Sequence, residues 1–147
     1  MDPAPRDVAD LPLDPELGVP VPFACGTAGT FGGGTGEQPS ARTLDHRRVT
    51  QCALSRVCGV CGASLGRPVA FLGTRAEVGR NAFHFPGSHL ACVQALQTAY
   101  AGVPAALLGQ EEPVEEWQVV TTAAFEFVRA GRDAVDRRAT FEPGAPV

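Results

Sequence analysis

Residues 58–92 read CGVCGASLGRPVAFLGTRAEVGRNAFHFPGSHLAC. Cys58 and Cys61 open the stretch as CxxCG, and His89 and Cys92 close it as HxxC. Gly62, directly after the second cysteine, lets the backbone turn tightly, so that amide N–H groups point at the sulfurs. The closing pair lies at i and i+3 in the first turn of an expected helix, which aims both side chains the same way. The positive end of that helix also favours a thiolate at Cys92. Two local pairs of soft or borderline donors are the usual supply for a tetrahedral Zn2+ site. The spacing therefore predicts one zinc held by Cys58, Cys61, His89 and Cys92. With four protein ligands its coordination is full, so a structural role is expected rather than a catalytic one.

Between the pairs, RPVAFLG (67–73) reads as a buried strand bounded by glycine, and NAFHFPG (81–87) as a second. In the second, Phe83 and Phe85 share one side and His84 takes the other, facing solvent. A helix is expected from near Ser88 through HLACVQALQTAYAG, capped by Ser88 and stopped at Gly102. His89, Cys92, Val93, Leu96 and Tyr100 lie on one face of it. VPAALLG, from Val103, reads as a shorter helical piece, and WQVVTT, AFEFVR and ATFEP as strands. The fold class is α+β: a treble-clef-like zinc module of knuckle, β-hairpin and helix, with additional C-terminal strands and an extended N-terminal arm.

CGVCGASLGRPVAFLG and FHFPGSHLACVQAL together resemble small treble-clef zinc proteins of GC-rich bacteria and their phages. That group's pattern is CxxCGxxLG, an apolar strand, then an aromatic-Pro stretch leading to HxxC. WQVVTTAAFEFVR resembles the strand region that follows the metal site there. The resemblance covers roughly residues 55–130 and implies a fold and a metal, but no activity.

Outward from this core, charge divides the chain of 147 residues into three parts. Residues 1–40 hold seven of the 13 prolines and the Gly-rich run 26–36. Their net charge is −5, from Asp2, Asp7, Asp10, Asp14, Glu16 and Glu37 against Arg6. Such a composition predicts an extended or disordered arm over 1–40, with 41–147 as the zinc-binding domain. Only Val19 to Ala24 offers an apolar piece able to dock as an edge strand. Residues 41–110 carry +5 and residues 111–147 carry −4.

All 12 basic residues are arginine, which excludes P-loop and Schiff-base lysine chemistry. Five cysteines, an odd number, suit a reducing compartment, and a cytoplasmic location is expected. No apolar run approaches a membrane span, and the opening residues lack a signal-peptide pattern. CGTAGTFGGGTG lacks the strand and helix of a phosphate loop, so no nucleotide cofactor is expected.

Two other chemistries compete for the cysteines. An iron–sulfur cluster would use Cys58, Cys61 and Cys92 with Cys52 or Cys25. A redox CxxC would need a helix that Gly59 and Gly62 disfavour. Three functions remain open. The first is a non-enzymatic zinc-stabilised module that binds a protein partner or serves as an accessory subunit. The second is nucleic-acid binding through Arg47, Arg48, Arg56, Arg67, Arg75 and Arg80. The third is an enzyme accessory lending Cys25, Cys52 or His46 to a partner's site. Asp45-His46 with Cys52 is a weak nucleophilic set, since adjacent residues seldom face one another.

Overall fold

The computed structural model describes residues 8–25, 27–28, 38–131 and 138–144. Short 3-10 turns at Val8–Asp10 and Phe23–Cys25 and the two-residue strands β1 (Thr27–Ala28) and β2 (Gln38–Pro39) precede the first α-helix. Then follow α1 (His46–Ser55), β3 (Val69–Gly73), α2 (Arg75–Arg80), α3 (Leu90–Tyr100), β4 (Gln118–Thr122), β5 (Phe125–Val128) and β6 (Thr140–Pro143). The strands form three antiparallel pairs, β1–β2, β3–β4 and β5–β6, giving a mixed α+β architecture.

β3 is buried at every position, as a continuous apolar run should be, and its partner is β4. The register runs from Val69 opposite Thr122 to Gly73 opposite Gln118. The expected strand at 81–87 does not form a ladder with β3. Instead, Phe83 bridges Phe141 of β6 and Ser88 bridges Ala70 of β3, so the segment between is held at its two ends. Two of its interior positions cannot donate to β3: the His84 N–H donates to the Glu77 carboxylate at 2.9 Å, and Pro86 has no N–H. This segment lies between β3 and β6, which buries His84 to 3% exposure instead of turning it to solvent.

Two helices stand where no helix is expected from periodicity. Asp45 caps α1, its side chain accepting from the Arg47 and Arg48 amides. Thr74 and Glu77 form a reciprocal capping box at α2. Conversely, 103–109 is not helical. The Leu108 and Gly109 amides donate to the Ala41 and Arg42 carbonyls at 2.8 Å each, and both residues have positive φ.

Phe71, Phe83, Phe125, Phe127 and Phe141 form a ring cluster between the two larger strand pairs, with centroid separations of 5.1–6.0 Å. Leu11, Val19, Val21, Ala24 and Cys25 belong to the same buried core. Part of the expected arm is therefore packed. Asp14 organises it: its buried carboxylate accepts from the Glu16, Leu17 and Ala41 amides. Val19 to Ala24 docks, but as an extended piece ending in a 3-10 turn rather than as an edge strand. The Gly-rich run, apart from Thr27 and Ala28, lies outside the described residues.

Candidate metal centre

α1 ends at Arg56, whose left-handed conformation (φ 54°) turns the chain into residues 57–64. That loop is a tight knuckle. Val57 bridges Ser64, the Cys58 N–H donates to the Ala63 carbonyl at 2.7 Å, and Gly62 closes the turn with φ +77°. Gly59 serves a different need. A Cβ there would stand 3.0 Å from the Pro86 Cβ, and its amide donates to the Gly87 carbonyl at 3.1 Å. The missing side chain thus lets the knuckle lie against the run that leads into α3.

That contact brings His89 and Cys92 to Cys58 and Cys61. His89 is the N-cap residue of α3, one position beyond the expected Ser88, whose hydroxyl instead donates to the Pro86 carbonyl. The donor atoms of Cys58, Cys61, His89 and Cys92 all lie within 4.8 Å of one another. His89 Nδ1 is 3.4 Å from Cys61 Sγ and 3.8 Å from Cys92 Sγ. Its other nitrogen, Nε2, is 2.9 Å from the Ser64 carbonyl. A carbonyl can only accept, so Nε2 carries the proton and the Nδ1 lone pair faces the sulfurs.

Cys58 Sγ accepts from three amides, of Val60, Cys61 and His89, at 3.4–3.5 Å. A hydrogen bond from Cys92, reinforced by these amides, lowers the Cys58 thiol from an ordinary 9.0 to about 4. Cys92 is pushed up by its hydrogen bond to Cys58 and then by burial. Cys61 is pushed up chiefly by burial. A cation at the centre of the three crowded sulfurs would favour the thiolate form of each.

The other candidates stand apart from this cluster. Cys25 and Cys52 are buried thiols, Cys25 lying 4.0 Å from the Ala41 carbonyl. Burial raises both, Cys52 to about 12. Asp45 is occupied in capping α1, and His46 is exposed at that helix's first position. The six arginines are spread over α1 and its cap, the loop before β3, and α2. Arg48 lies over the Phe23 ring at 4.8 Å, Arg56 over Phe125 at 5.0 Å, and Arg75 is 3.8 Å from Glu116.

A cleft of 1310 Å³ lies beside α2, with Arg75, Arg80, Glu111, Glu116 and His84 among its lining residues and none of the four metal-site residues. One feature of the metal centre escapes motif reading. The Ser64 carbonyl is a backbone group with no sequence signature. Glu77 was announced only by its place in Thr74-x-x-Glu77, a capping-box pattern. Among the described residues no helix is long and apolar enough to cross a membrane. No protein-family model, curated protein or solved structure matches the chain.

Proposed function

We propose that Cys58, Cys61, His89 and Cys92 hold one Zn2+ and that the chain is a non-enzymatic, zinc-stabilised module of treble-clef type that binds a protein partner. The observation that carries the metal is the convergence of four donors from two chain-distant pairs within 4.8 Å. A tetrahedron with bonds of about 2.3 Å to sulfur and 2.0 Å to nitrogen has S–N edges of about 3.5 Å. The observed 3.4 and 3.8 Å bracket that value. Four protein ligands leave no position for water or substrate, which makes the site structural. One histidine within a single-ion span favours zinc over an iron–sulfur cluster, as does the separation of Cys25 and Cys52 from the group. Knuckle and helix-borne ligands carry the treble-clef reading, with the intervening hairpin reduced to the Ala70–Ser88 bridge.

A protein partner is preferred to nucleic acid because Arg48, Arg56 and Arg75 already engage Phe23, Phe125 and Glu116. The test uses the full chain in two steps. Cobalt taken up in place of zinc should give the visible spectrum of a tetrahedral thiolate–imidazole site, and Cys61→Ser should lose it. A partner that co-purifies with the zinc-loaded chain and not with Cys61→Ser supports the binding role. Salt-resistant retention of duplex DNA by the loaded chain would place nucleic acid first instead.

A further inference from the structure

The turn Phe23–Cys25 sits between the metal knuckle and α1. Two of its amides donate into the knuckle, Phe23 to the Val60 carbonyl and Ala24 to the Gly59 carbonyl, each at 2.9 Å. Both acceptors lie between the ligands Cys58 and Cys61. The Phe23 ring covers Gly62, where a Cβ would stand 3.0 Å from it. On its other side the turn holds α1. The Asp45 amide, at the helix N-cap, donates to the Ala24 carbonyl at 2.8 Å, and the Arg48 guanidinium donates to the Phe23 carbonyl at 3.0 Å.

We propose that Phe23–Cys25 is a metal-dependent latch. The carbonyls of Gly59 and Val60 must point outward from the knuckle for the turn to dock, and a cation on Cys58 and Cys61 fixes that geometry. The knuckle's own hydrogen bonds restrain it in part, glycine at 59 and 62 leaves it backbone freedom, and the metal adds the remaining restraint. Removing the metal undocks the turn and loosens the first turn of α1. The β3–β4 ladder, leaving out Ala70, whose backbone bonds go to Ser88 beside His89, is the internal reference. The latch rests on the metal reading above. It goes beyond it by coupling occupancy of the site to a segment remote in sequence. Coupling of this kind is reciprocal, so a damaged latch must also weaken metal binding.

Hydrogen–deuterium exchange on the full-length chain, zinc-loaded and after chelation, reads the latch directly. The amides of Phe23, Ala24 and Asp45 should exchange about tenfold faster or more once zinc is removed, with a smaller change in the β3–β4 ladder. Phe23→Ala should keep one zinc per chain but raise the zinc Kd by about fivefold or more. A chain that takes up no zinc overturns the metal centre, and the latch with it. A chain that binds zinc but keeps these three amides protected after chelation overturns the latch alone. So does loss of their protection only together with the ladder, or an unchanged Kd in Phe23→Ala.

Discussion

Glu77 is 1% exposed, and its two carboxylate oxygens hold three donors. Oε1 accepts from the Thr74 amide at 2.9 Å and the Gln110 side chain at 3.0 Å, and Oε2 accepts from the His84 amide at 2.9 Å. It ties α2 to the buried 83–88 segment and to the loop at 110. Glu77→Ala leaves buried amides unpaired and should cost about 3 kcal/mol, with Glu77→Gln closer to wild type. Urea unfolding of the two variants measures this, and equal stability of Glu77→Ala and wild type would remove Glu77 from that role. Cys52 makes a second residue-scale prediction. Burial raises its thiol from 9.0 to about 12, so the native state keeps its proton where the unfolded chain loses it. The stability this confers is intact below about pH 9 and falls as pH rises from there toward 12. Cys52→Ala should flatten that decline by about 1 kcal/mol per pH unit at most, read from urea midpoints between pH 8 and 10.

At the scale of elements, α1 depends on its cap. Asp45 Oδ1 accepts from the Arg47 amide at 2.9 Å and the Arg48 amide at 3.3 Å. Asp45→Ala should therefore lower stability by about 1 kcal/mol in thermal or urea unfolding, while Asp45→Asn should lose little. The signal for this helix is present in the chain, since Val49, Cys52 and Ala53 are buried at i, i+3 and i+4 after an Asp cap. It is masked by polar neighbours and by the pull of Cys52 toward metal or catalytic readings. β3, α3 and the three C-terminal strands are legible because each carries a sustained apolar pattern with clear stops. The 83–88 segment shows where that logic fails. Alternation at Phe83, His84 and Phe85 suggests one wet face, but the segment is enclosed on both sides, and only tertiary packing decides that. Pairing of β3 with β4 is equally hidden, because partners 45 to 53 residues apart are chosen by topology and not by local pattern.

For the molecule as a whole, the gathering of Cys58, Cys61, His89 and Cys92 was readable at the level of single residues because two closely spaced Cys/His pairs stand out in the chain. The N-terminal arm was less so. Its proline content and charge of −5 argue for extension, yet Leu11, Val19 and Val21 reach the core through one organising carboxylate, Asp14. The Tyr100 hydroxyl adds a further tie, donating to the Pro20 carbonyl at 2.8 Å from the last turn of α3. Knuckle and α3 thus meet at the four donor side chains, and the arm docks on both. Zinc content per chain, measured by elemental analysis on purified full-length protein and on Cys61→Ser, tests this most directly. The account predicts close to one zinc in the wild type, and in the variant loss of the metal together with a lower unfolding midpoint. A wild-type chain that carries no metal, or that carries iron and sulfide in place of zinc, would contradict it.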